Sequence, residues 1–337
     1  MKAIFHIVLT AMFLWNPYAT GQQEELALHP ITESLYVIRG AGCNVVFWVT
    51  KEGILVVDSG EKPSMATKVL LKIRDISDRS IRYLAFTHYH HNAGAEDFPA
   101  SAVTLSHKNT RENIPLRKKV LLDLFDKNIK ELELKMAELK EQEDTVSQQK
   151  IQDQLELRKR QLESIEKEKV LLPQITFEAK STIYMDGQQA ELLYLGPGHT
   201  NGDLLVYFSH EKVLYMGDLL YTNGWAPRLD GDAGSSVDNW LKILKHVATM
   251  DVKEIIPGHG EPTDMEGFIT ISKVFCDYLT DLKIAVKKFI ENGASLEEIK
   301  AELTLPKYQQ LGMADVLLPW NIEGVHREII GDMKAYQ

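Results

Sequence analysis

Cysteine is scarce in this chain of 337 residues: Cys43 and Cys276 are the only two. That is too few for a disulfide framework, and they stand too far apart for a cysteine-based metal site. One disulfide in an oxidising compartment and two free thiols in the core both remain open. Positive charge is also short, with 38 Lys and Arg against 48 Asp and Glu and a formal net charge of −10. A surface of that sign repels phosphate backbones and argues against nucleic acid as a partner. Long apolar runs are missing after residue 21: each later run is short or interrupted by charge, so no later segment is a stable membrane span.

What remains is ordinary for a globular protein, at 44% hydrophobic and 26% charged. Residues 1–21 read MKAIFHIVLTAMFLWNPYATG, with Lys2 near the start, an apolar run from Ile4 to Trp15 and small residues Ala19 to Gly21. This is the layout of a secretory signal peptide, and it predicts a protein exported to the periplasm or secreted.

From Ser34 to Gly60, short β-rich runs alternate with turns (LYVIRG, NVVFWVT, KEGILVVDSG), as in antiparallel strands feeding a buried one. Ala66 to Ile76 is apolar at helical spacing and precedes the strand-like IRYLAFTH. Strand, helix, strand is an α/β layout, in which ligands gather beyond the carboxyl ends of strands. Between Leu116 and Val170 the chain turns to Lys, Glu, Gln and Leu. Apolar residues at steps of three and four, from Leu121 to Leu139 and from Ile151 to Ile165, predict two amphipathic helices in an antiparallel hairpin. Such a hairpin is a lid, a homodimerisation arm or a solvated insertion. A second β-rich set runs from ITFEA to KEIIPGHG, and the chain from Met265 onward reads as helical, with a capping box at Ser295 and Glu298. Two β-rich halves with helices predict an α/β fold of two sheets covered on their outer faces, a four-layer αββα sandwich with a helical-hairpin insertion and a helical C-terminal extension.

Three places share one design, a β-type run ending in a polar or glycine-rich turn that presents His or Asp: FTHYHHNAG, YLGPGHTNGD, and YMGDLL with IIPGHG. In extended backbone, residues at i and i+2 face the same way, so His88 and His90 are expected to grip one ion. Turns after the other strands direct His199, Asp218 and His259 into the same space. Imidazole and carboxylate are ligands that zinc prefers, and a catalytic site leaves a position for water. Any one of these histidines alone is more simply a surface or hydrogen-bonded residue. The set of five, each at a strand end, is not.

The order VVDSG, THYHHN, GPGHTNGD, GDLL and PGHG resembles the five motifs of the metallo-β-lactamase superfamily, from about Leu35 to Gly260. The resemblance implies a metallo-β-lactamase-like domain over residues 22–265, interrupted by the insertion at about 116–170 and followed by the extension at 266–337. It implies metals at the edge between the sheets, with His88, His90, His199, Asp218 and His259 as ligands. It also implies Asp58 and His91 as residues supporting the ligands from behind. The family's second motif is His-x-His-x-Asp-His, whereas this chain reads His88, Tyr89, His90, His91, Asn92, Ala93. Asn92 offers a neutral carbonyl oxygen and Ala93 nothing, so the second metal site is expected to be short of ligands. One zinc ion is then expected, held by His88, His90 and His199 with Asp218 as a fourth or bridging ligand; a second is weak or absent, and His259 and His91 are candidates to hold it or to donate protons. Asp218 and Asn92 are the candidate catalytic side chains at the attacking water, and Tyr221, Trp225 and Arg228 are candidates for lining the pocket.

The expected activity is metal-dependent hydrolysis of a small molecule, a lactam, lactone, ester or thioester. Two other readings stay open. Family members that oxidise persulfides hold one iron with two His and one Asp, which this chain can also supply. A degenerate metal- or partner-binding protein, marked by Asn92 and Ala93, is the other.

Overall fold

The computed structural model describes residues 25–141 and 144–332, and the leader expected at residues 1–21 lies outside them. The first sheet has seven strands in sequence order: β1 (Ala27–Pro30), β2 (Leu35–Arg39), β3 (Val45–Thr50), β4 (Gly53–Val57), β5 (Ile81–Phe86), β6 (Val103–His107) and β7 (Ile175–Phe177). Pairing is antiparallel through β4 and parallel from β4 to β7. The second sheet orders β12 (Glu254–Ile256), β11 (Val213–Tyr215), β10 (Leu204–Phe208), β9 (Gln188–Tyr194) and β8 (Lys180–Met185), antiparallel except for β11 with β12.

Side-chain alternation sorts these strands into layers. Leu55 and Val57 of β4 join Val46 and Trp48 of β3 against Val206 and Phe208 of β10 in the core between the sheets. Trp48 meets Phe208 edge-on at 5.8 Å. The alternate residues Ile54 and Val56 face outward instead, onto Ala66, Val69 and Ile73 of α1 (Ala66–Ile76). On the far face of the second sheet, Leu205, Leu214 and Ile255 pack under α4 (Val237–Val247), α5 (Met265–Glu291), α6 (Leu296–Glu302) and α7 (Ala314–Ile330). The result is the αββα sandwich that the alternation predicts. The Ser295–Glu298 capping box is present at the start of α6.

The hairpin is α2 (Lys108–Glu141) and α3 (Thr145–Lys167), and Asp144 caps α3 by accepting from the Ser147 amide at 3.1 Å. Ile129, Leu132 and Met136 pack on Ile151 and Leu155 to give it a small core of its own. The change of composition at Leu116 is not the start of the helix. Residues from Lys108 on are already helical, with Thr110, Asn113 and Ile114 buried against the body. Both cysteines are free thiols, Cys43 buried and Cys276 half-buried on α5. Among the described residues no helix is long and apolar enough to cross a membrane.

Candidate metal centre

The turns that follow β4, β5, β9, β11 and β12 meet at one edge of the sandwich. Asp58, directly after β4, has a φ of 66°, a left-handed conformation that Asp tolerates better than most residues. Its buried carboxylate accepts from the Thr87 amide at 2.7 Å, the Thr87 hydroxyl at 2.8 Å and the Tyr215 hydroxyl at 2.7 Å, and lies 3.1 Å from His91 Nδ1. Asp58 thereby ties β4, the histidine turn after β5 and β11 together.

His88, His90, His199 and Asp218 each offer one ligand atom to a first group, all within 4.8 Å of one another. His88 and His90 sit in the turn after β5, not on the strand, so backbone turning rather than the pleat brings them to one side. For each imidazole, the far nitrogen has a partner that fixes which nitrogen keeps a lone pair. His88 Nδ1 lies 3.1 Å from the Thr87 hydroxyl, which already donates to Asp58 and so accepts here. His90 Nε2 lies 3.1 Å from Asp230 Oδ2, and His199 Nδ1 donates to the Arg228 carbonyl at 2.7 Å. His90 Nδ1 and His199 Nε2 then face each other at 3.0 Å as two acceptors. A cation between them removes that repulsion.

A second group comprises Glu61, His91, Asp218 and His259. Asp218 serves both groups: Oδ2 lies 3.5 Å from His88 Nε2, and Oδ1 lies 3.2 Å from Nε2 of both His91 and His259. His88 Nε2, His91 Nε2 and Asp218 Oδ1 are buried without a hydrogen-bond partner. Unsatisfied buried polar atoms demand an explanation, and several converging on one space suit metal ions. The residues present therefore fit a metal centre.

The second site, expected to be short of ligands, has a candidate set of four. His91, expected as a support or as a ligand of a weak second ion, turns its Nε2 into this group while its Nδ1 faces Asp58. Glu61, from the turn after β4, brings a carboxylate that the histidine motif does not contain.

Electrostatics separate the two groups. Burial lowers the pKa of His88, His90 and His199, that of His199 to about 3, keeping these imidazoles neutral and able to ligate. At His91 and His259 burial acts the same way but is outweighed. Asp218 and Asp58 carry His91 well above its usual value, and Asp218 and Glu61 raise His259. Burial alone would raise Asp218, but His91 and His259 hold it well below the usual carboxylate range. Burial pushes the Cys43 thiol beside His91 up to about 12, so it stays protonated.

Of the pocket candidates, the Tyr221 hydroxyl donates to Asp218 Oδ2 at 3.2 Å. The Trp225 ring centroid is 5.4 Å from that of His259. Arg228 lies 3.6 Å from Asp230 and over the Trp320 ring. Asn92 is buried, its backbone pairs with Gly60, and its Oδ1 has no hydrogen-bond partner. Three residues of the site escape the sequence: Glu61, Asp230 and Asn321. Asn321 accepts from the Leu229 amide at 2.7 Å and donates to the Pro227 carbonyl at 2.8 Å, bracketing Arg228.

Comparison with known proteins gives a family match over residues 38–259, to the model described as the metallo-beta-lactamase superfamily. A metallo-beta-lactamase type 2 of Bacteroides fragilis is 31% identical over 98 residues, 28% of this chain and 39% of that protein. The sec-alkylsulfatase Pisa1 from Pseudomonas sp. superposes with a TM-score of 0.64 at 15% identity, covering 91% of this chain and 50% of its own. A metallo-beta-lactamase from Pontibacter korlensis superposes with a TM-score of 0.50 at 16% identity, covering 75% of this chain and 99% of its own. The likeness to these two solved structures is one of fold. The match spans half or less of the Bacteroides protein and of the sulfatase.

Proposed function

The chain belongs to the metallo-beta-lactamase superfamily, and on that premise we propose that it is a zinc-dependent hydrolase of a small carbonyl compound, a lactam, lactone, ester or thioester. The observation that carries this reading is the pair of acceptor nitrogens, His90 Nδ1 and His199 Nε2, 3.0 Å apart in a buried group with His88 and Asp218. A divalent metal bound there supplies a nucleophilic water at neutral pH and polarises the carbonyl under attack.

The chain's own residues do the rest. Asp230 and the Arg228 carbonyl hold His90 and His199 in the ligating tautomer. Asp218, anionic at neutral pH, orients the water through its carboxylate. Burial and Asp218 raise the pKa of Tyr221, so its hydroxyl remains a donor throughout the neutral range. Trp225 and Arg228 wall the substrate side.

The test strips the protein with a chelator, restores zinc or iron, and assays a lactam, a lactone, a carboxylic ester, a thioester and a secondary alkyl sulfate. Zinc-restored hydrolysis of a carbonyl compound is the expected result. Hydrolysis of the sulfate alone would move the substrate class, iron-dependent oxygen uptake on a persulfide would replace hydrolysis with oxidation, and no activity with any metal would sink the enzyme reading.

A further inference from the structure

The histidine motif has no carboxylate at residue 92, yet one stands at the same centre. Glu61 Oε1 lies 3.6 Å from His91 Nε2 and 3.8 Å from His259 Nε2, and both imidazoles also face Asp218 Oδ1 at 3.2 Å. His91 and Asp218 are both buried, and neither His91 Nε2 nor Asp218 Oδ1 has a hydrogen-bond partner. Two imidazoles and two carboxylates make a complete set for a divalent cation. The second carboxylate also restores the negative charge that lets two dications sit close together.

Glu61 is held from three sides. Its amide donates to the Ala41 carbonyl at 3.0 Å. Its side chain lies over Gly42, where a Cβ would stand 2.7 Å from that of Glu61, so the site requires glycine there. Its carbonyl accepts from Arg117 at 3.2 Å. Arg117 comes from α2, at the base of the hairpin, and is paired with Glu168 at 2.9 Å, each side chain less than one-tenth exposed. Lys118 closes the same junction by donating to the Glu166 and Glu168 carbonyls at the end of α3. The guanidinium fork thus joins both ends of the hairpin to the main chain of a metal-site residue.

We infer that Glu61, His91, His259 and the shared Asp218 bind a second divalent cation, with Glu61 replacing the missing motif carboxylate and the base of the hairpin positioning it through Arg117. This rests on the metal-dependent reading of the first group, and the two can fail separately.

The experiment is equilibrium dialysis of the full chain against Zn²⁺ with elemental analysis, repeated for Glu61→Gln, Arg117→Ala, Arg117→Lys and His88→Ala, with a melting curve for each. Two ions per chain are expected for the wild type. Glu61→Gln should retain one ion at unchanged affinity. Both Arg117 variants should weaken only the second ion, by about tenfold, as for loss of a group that orients a metal ligand. Arg117→Lys keeps the charge without the fork and reports on positioning if Arg117→Ala does not fold. A wild type with one ion, lost in His88→Ala and kept in Glu61→Gln, would overturn this inference and leave the first site standing. A wild type without zinc would remove both. Two ions retained by Glu61→Gln at unchanged affinity would exclude Glu61, and unchanged affinities in Arg117→Lys would exclude the hairpin's role.

Discussion

The Nδ1 of His199 donates to the main-chain carbonyl of Arg228 at 2.7 Å, and that carbonyl belongs to a loop that the C-terminal helices hold. Asn321 of α7 is fully buried, pairs with Pro227 and Leu229 on either side of Arg228, and donates to the Tyr278 hydroxyl of α5 at 2.8 Å. The C-terminal helices therefore bear on the tautomer of a candidate metal ligand.

Asn321→Ala leaves the Leu229 amide and the Pro227 carbonyl unpaired in the interior. It should cost about 1–3 kcal/mol of stability and weaken the first metal by about 10–100-fold. Chemical denaturation and zinc titration check the two parts separately. A loss of stability with unchanged zinc affinity would mean that the extension only packs.

Asp230→Asn should weaken the first metal by about 10–100-fold, because His90 loses the carboxylate that fixes its tautomer. Tyr89→Phe removes only the hydroxyl that donates to Asp230 and should have a smaller effect. Equal losses in the two variants, read by zinc competition with a chromophoric chelator, would assign Asp230 a packing role.

Gly258→Ala puts a Cβ 2.1 Å from Asp218 Oδ1 and 2.7 Å from the Gly217 carbonyl. The backbone after β12 or the shared carboxylate must move, at about 1–3 kcal/mol for an overpacked site, and binding at both metal groups should weaken together. Retention of wild-type zinc affinity would show that Asp218 is not shared.

The outer face of α1 and the layer order were legible in the sequence, because alternation along β3, β4 and β10 assigns each side chain to one core or the other. So were the strand-end histidines and Asp218. His91 was legible as a member of the centre but its orientation was not, because the residue next to a ligand on a strand points away from it. The segment is a turn, in which consecutive residues splay to opposite groups. Glu61 reads as an ordinary charged residue after a turn glycine, and only the approach of the β4 and β5 turns brings it to the candidate ligands His91 and His259. Asp230 sits in a stretch with turn composition, RLDGDAG, and Asn321 lies within a helix where Asn is usually solvated. Nothing local distinguishes either.

The metal-free protein should be most stable near pH ~6.5, the unperturbed imidazole value. Below it, His88, His90 and His199, whose folded pKa values are lowered, bind protons more readily when unfolded, so their contribution falls with pH. Above it, His91 and His259, whose folded values are raised, lose the protons that balance Asp218 and Glu61, and stability falls as pH rises through those values. Zinc replaces those protons, so its stabilisation should grow from pH 6 to 8. Melting temperatures with chelator and with zinc across this range check the sign. A metal-free protein that grows steadily more stable above neutrality would contradict it.

Anomalous diffraction from zinc-loaded crystals at the zinc edge locates the first metal. A peak enclosed by His88 Nε2, His90 Nδ1, His199 Nε2 and Asp218 Oδ2 is expected. A zinc-loaded crystal with no anomalous peak among those four atoms would contradict the metal-dependent reading.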